Sequence, residues 1–177
     1  MAEGTASIWG YRALFVLIAV FLAFVRLLPL DPGPGQWPGP DILLLCAFFW
    51  TIVRPALVPV WLLAAVFLIS DLLLMRAPGL WTAFAILGCE FLRSRRVLLR
   101  NAPFVMEWLL VAVVVAAITI ANLLVLSIFA VPQPTFGLTV IGLVFTILAY
   151  PAVVVLAGRA IGLSKSSGER DAIGAGR

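Results

Sequence analysis

The stretch "LLAAVFLISDLLLMRAPGLWTAFAILGCEFLRSRR", residues 62–96, decides how this chain is read. Two apolar runs are separated by Arg76-Ala77-Pro78-Gly79, and Pro and Gly together interrupt a helix and favour a turn. Each run is oily enough for a lipid bilayer, yet the first carries Asp71 and the second Glu90. Three roles fit such carboxylates. They belong to a transport or catalytic site, they hold helices together, or they mark a surface for a partner.

The composition fixes the solvent. Of 177 residues, 64% are hydrophobic and 11% charged, with a mean hydropathy of +1.18. A soluble domain carries about 45–50% apolar and about 25% charged residues. A soluble fold of this size cannot hide so much apolar surface, so an all-α integral membrane protein is expected. Cys46 and Cys89 both lie inside apolar runs and read as small hydrophobic residues. The chain has no histidine, which excludes His-ligated haem and a Ser-His-Asp triad. No cofactor is expected.

Six apolar runs follow one another, at about 12–29, 41–53, 55–75, 79–92, 104–131 and 138–158. The expectation is one six-helix transmembrane domain over residues 1–162 and a disordered cytoplasmic tail over 163–177. Arg12 before the first run resembles the start of a signal peptide. The run continues into "RLLPLDPGPG" with no small-residue cleavage site, so it reads as a retained first helix. The second and fourth runs are shorter than the ~20 residues of a straight span. Neighbouring helices that enclose them make short spans tolerable. A four-span arrangement puts basic loops on both sides. With six spans, Arg12, Arg54, Arg93, Arg95, Arg96, Arg100, Arg159, Lys165, Arg170 and Arg177 share one side, and only Arg26 and Arg76 the other. Positive loops stay inside, so both termini are predicted to be cytoplasmic. The same asymmetry accounts for the net charge of +4 without a nucleic-acid partner.

The ionisable residues then gather toward the two membrane faces. Arg26, Asp41, Asp71 and Arg76 share the outer half. A charge at depth costs about 2.5–3.5 kcal/mol, so such groups face the bundle and pair. Arg26 is expected to pair with Asp41 or Asp71, with Asp71 neutralising Arg26 or Arg76. Asp41, after Pro40, also sits where a helix N-cap belongs. On the inner side Glu90 is three residues before Arg93, and Glu107 falls in the first turns of the fifth run. Both are expected to pair with the basic loop. Arg93, Arg95, Arg96 and Arg100 suit lipid headgroups or a cytoplasmic partner. Ala112, Ala116, Ala117 and Ala121 make a small-residue packing face, and Asn122 can hydrogen-bond across it. Tyr150-Pro151 suggests a kink in the sixth run.

"GPDILLLCAFFWTIVRP" (39–55) and "FLISDLLLMRAPGLWTAFAILGCEFLRSRR" (67–96) together resemble MreD, the rod-shape-determining membrane protein family of bacteria. Pro40-Asp41 opening the second span, Asp71-Leu72 near the end of the third, and the Pro78-Gly79 turn carry the likeness. Trp50 to Arg54-Pro55 is similar to the alphaproteobacterial form. Ile69 precedes Ser70-Asp71 where many members place a glycine a few positions ahead of that Asp.

The resemblance implies a six-helix bundle similar to the substrate-binding S-component of ECF vitamin transporters. It implies a non-enzymatic scaffold in the inner membrane that binds MreC. RodA, a class B penicillin-binding protein and MreB belong to the same assembly, which builds peptidoglycan sidewall. Membrane lipids and a second copy of the chain are further partners this admits. Arg26, Asp41, Arg54, Pro55, Asp71, Gly79, Glu90, Arg93, Arg95, Arg96 and Asn122 are the candidate structural or partner-binding residues.

Two other functions compete. An ECF-type transport subunit needs an outward polar pocket, which Arg26, Asp41 and Asp71 can line. An integral membrane enzyme would pair Asp41 with Asp71, but no metal or phosphate signature accompanies them.

Overall fold

The computed structural model describes residues 2–28, 39–131 and 135–160, with side chains over 9–28, 39–99, 102–131 and 135–159. The expected tail, the Pro/Gly-rich loop over 29–38 and the basic residues Lys165, Arg170 and Arg177 lie outside the described residues. So do the side chain of Arg100 and residues 132–134.

Seven helices make up the described chain, and no strand occurs among these residues. They are α1 (Ala2–Leu27), α2 (Ile42–Val53), α3 (Val60–Leu73), α4 (Leu80–Ser94), α5 (Arg96–Asn101), α6 (Phe104–Ile128) and α7 (Phe136–Ala160). Segments Trp9–Leu27, Phe104–Ile128 and Phe136–Arg159 are long and apolar enough to cross a membrane, with mean hydropathies of 2.0, 2.9 and 2.5. Only 22% of the most apolar window of Phe104–Ile128 is buried in the protein. Leu109, Val113, Ile120 and Leu124 on that helix all stand exposed. An all-helical protein that leaves such faces bare satisfies its backbone internally and its side chains in lipid. These are the properties of a membrane protein.

Helix α2 is the opposite case. Ten of its twelve residues are buried. At ~1.5 Å per residue it is only ~18 Å long. It is wrapped by α1, α4, α5 and α7, while α3 joins α1 to α4 and α6 joins α4 to α7. A helix apolar on every side needs cover on every side, and here protein provides it. Phe48, Trp50 and Ile52 form the centre of the core with Phe15, Phe67 and Tyr150.

Several boundaries differ from the sequence reading. The third run begins as turn rather than helix. Pro59 disfavours helical geometry at Val58, so α3 starts only at Val60 and has 14 residues. The intervening Leu57 and Val58 are buried, and Arg93 Nη2 donates to the Val58 carbonyl at 2.6 Å. The basic segment after α4 forms the short helix α5, whose Leu99 is buried in the core.

Pro151 sits inside α7, which runs on to Ala160. Proline removes the N–H that the Ile147 carbonyl would otherwise receive. The indole Nε1–H of Trp108 on α6 donates to that carbonyl at 2.9 Å. At the site of the expected kink, Tyr150-Pro151, a neighbouring helix thus supplies the missing donor.

Close packing centres on Gly88 of α4. A Cβ there would lie 2.5 Å from Ile118 Cδ1 and 2.9 Å from Phe48 Cζ. The alanines of α6 are expected to pack within the protein or against another membrane protein. Within the described residues the buried side of that helix is Glu107, Val111, Val114, Val115 and Ile118, and the small residue that admits it lies on α4.

Candidate functional site

The described chain brings the end of α1, the starts of α2 and α4, the end of α3, the end of α6 and the start of α7 to one end of the bundle. They surround a cleft of about 410 Å³. Arg26, Asp41, Arg76 and Asn122 line it.

Asp41 organises this end. Its Oδ1 accepts from the Leu44 N–H at 3.3 Å and so caps α2. Its own N–H donates to Thr146 Oγ1 at 3.0 Å, and that hydroxyl donates to the Gly142 carbonyl at 2.7 Å. The start of α2 is thereby pinned to α7. Two guanidinium groups flank the carboxylate, Arg26 at 3.6 Å and Arg76 at 3.8 Å. Arg26 also donates to the Pro40 carbonyl at 2.8 Å, and Arg76 lies over the Trp81 ring, 5.4 Å from its centroid. Both guanidinium–carboxylate distances exceed hydrogen-bond length, so these are loose electrostatic contacts.

Asp71 behaves differently, and this corrects the expected pairing. It lies in α3, is fully buried and forms no ion pair among the described residues. Its Oδ2 accepts from Gly79 N–H at 3.2 Å, Thr82 N–H at 3.1 Å and Thr82 Oγ1–H at 2.7 Å. It is the cap of α4, delivered by the preceding helix.

The turn between the helices makes this reach geometric. Met75 adopts φ 50°, and Arg76 N–H donates to the Asp71 carbonyl while Met75 N–H donates to Leu72. This is a Schellman closure of α3. Gly79, at φ 86°, then starts α4 in a left-handed conformation that side chains disfavour. Arg76 meets Asp71 through its backbone, while its side chain turns to Asp41 and Trp81.

The opposite end is built from other groups. Glu90 pairs with Arg93 at 2.6 Å on α4, and Arg93 ties α4 to the turn before α3. Arg12 donates to the Ala56 carbonyl at 3.3 Å and lies near the rings of Trp9 and Trp61. Arg54 caps the end of α2 with its N–H on the Trp50 carbonyl, and its side chain is exposed. Pro55 opens the turn that follows. Arg95 stands over Phe91, and Arg96 is exposed. Glu107, expected near the basic loop, is buried and accepts from the Tyr150 hydroxyl at 2.9 Å.

Sequence reasoning passed over Thr82, Thr146, Trp108 and Gly88. Thr82 stood three residues after Gly79, the spacing of a helix first turn, and Gly88 stood alone in an apolar helix. Both were visible signals. The Trp108–Ile147 bond had none. Among the described residues no group of three or more His, Cys, Asp or Glu stands close enough to hold a metal ion. No family model, curated protein or solved structure matches this chain.

Proposed function

We propose that this chain is a non-enzymatic scaffold of the bacterial cell-elongation machinery, an MreD-like inner-membrane protein that binds MreC and supports sidewall synthesis with RodA, a class B penicillin-binding protein and MreB. One observation carries the reading. The residues that bear the resemblance, Asp41, Asp71 and Gly79, act as joints between helices, with both carboxylates engaged in caps. Carboxylates committed to backbone N–H groups suit a protein whose work is to hold a shape and present its faces. Bare apolar faces on α1, α6 and α7 offer the surface for a single-span partner.

In this reading the six main helices cross the membrane, α2, α3 and α4 as short spans of which α2 is enclosed by its neighbours, and both termini are cytoplasmic. Met75 is then periplasmic and Arg95 cytoplasmic. A cysteine in place of Met75, which is 95% exposed, should react with an impermeant maleimide in intact spheroplasts, and one in place of Arg95 only after permeabilisation. The native Cys46 and Cys89 are buried and contribute little background. The reverse labelling pattern overturns the orientation.

The functional test is co-purification. The tagged full chain, extracted from its own membranes in mild detergent, should bring down MreC in near-stoichiometric yield. Recovery of an ECF-type ATPase module instead would favour the second reading, a solute-binding transport subunit, for which the 410 Å³ cleft is the supporting feature.

A further inference from the structure

The cleft at the Asp41 end is more than a gap between helices. Among the described residues its charges do not balance: Arg26 and Arg76 face one carboxylate, Asp41, and neither contacts it within hydrogen-bond distance. A guanidinium carries five N–H donors in a planar fork that matches phosphate or carboxylate oxygens. Arg26 gives one donor to Pro40. Arg76 lies over the Trp81 ring, and its guanidinium donates no hydrogen bond among the described residues.

Deeper in, Asn122 is half-buried, lines the cleft and makes no hydrogen bond among the described residues. Its amide is open to the cleft and available to a polar group of a ligand. Leu44, Val115, Leu126 and Leu143 supply much of the remaining wall. The volume falls in the range of sites that hold a drug-sized molecule. A hydrated free anion gains nothing from such walls.

We infer that this cleft binds an anionic phospholipid, one whose headgroup phosphate carries no cation of its own and lies between Arg26 and Arg76, whose polar linkage meets Asn122, and whose chain runs along the leucine-lined wall. The inference rests on the cleft and its charge imbalance, and stands whether or not MreC is the partner.

The test is native mass spectrometry of the full-length protein in neutral detergent, with phosphatidylglycerol and phosphatidylcholine offered in turn. One phosphatidylglycerol should be retained, with phosphatidylcholine retained at least tenfold less. The double substitution Arg26→Gln/Arg76→Gln should lower phosphatidylglycerol retention at least tenfold, and Asn122→Leu should lower it several-fold. Equal retention of the two lipids, or no change in the double variant, overturns the inference. Displacement of the lipid by millimolar inorganic phosphate also overturns it, because it marks a free-anion site. If the double variant does not fold, Leu126→Trp decides. It keeps all three charges and fills the wall, so loss of phosphatidylglycerol supports the site and full retention overturns it.

Discussion

Two helices of this bundle, α2 and α4, each begin under an aspartate, and the aspartates arrive by different routes. Asp41 stands immediately before its own helix, remains 13% exposed at the side chain and has two arginines nearby. Asp71 comes from the preceding helix, is fully buried and relies on backbone and hydroxyl donors alone. The first is a local cap with its charge compensated by cations. The second is a long-range cap whose negative charge rests on the positive end of a helix dipole. Burial depth separates them. A partly exposed carboxylate can keep cations and some water beside it, whereas a fully buried one is made tolerable by a set of fixed donors.

The largest expected effect therefore falls at Asp71. Asp71→Ala strands two N–H groups and a hydroxyl in the interior and should destabilise the protein by about 3 kcal/mol, read as a fall in melting temperature in detergent. Asp71→Asn keeps an acceptor oxygen and should lose less. Equal losses for the two variants would show that charge, rather than the bonds to Gly79 and Thr82, holds α4.

Gly88→Ala asks whether packing also holds α4. The added methyl meets Ile118 and Phe48, and overpacking of this kind costs about 1–3 kcal/mol. Ile118→Val removes the nearest atom, so the double variant should recover part of the loss. Simple addition of the two effects would break the contact argument.

Asp41→Asn is expected to be mild. Asparagine caps as well as aspartate, and the two loose ion pairs are worth at most about 1 kcal/mol. Asp41→Ala loses the cap too and should cost about 1 kcal/mol more. A loss at Asp41 as large as that at Asp71 would erase the distinction between the two caps.

The smallest effect is expected at the turn that carries Asp71's reach. Met75 holds φ 50° and is 95% exposed. A left-handed residue costs about 1–2 kcal/mol, against about 0.5–1 kcal/mol for the extra freedom of glycine in the unfolded chain. Met75→Gly should thus be neutral or stabilising by about half a kcal/mol, seen as a small rise in melting temperature. A clear loss would mean that the methionine side chain contributes to the cleft it lines.

Much of this was legible in the sequence because local rules govern it. Hydropathy over twenty-residue windows, proline and glycine punctuation, and the position of Asp41 after Pro40 are properties of neighbouring residues. They placed the helical runs, marked the second as shorter than a straight span and put a cap at its start. The i,i+3 spacing of Glu90 and Arg93 put their pairing within reach for the same reason.

The partner of Asp71 was not legible, and neither was the Trp108 bond to Ile147. Sequence made Asp71 an unpaired charge in an apolar run, for which an arginine was the natural partner. Only the tertiary fold folded α4 back so that its first N–H groups lay over that carboxylate, which freed Arg76 for the cleft. Composition and local spacing determine where helices form, because backbone bonding and burial are settled within a few residues. Which acid meets which donor depends on how helices distant in sequence cross, and the packing of Phe48 and Ile118 against Gly88 is one contact that fixes such a crossing here.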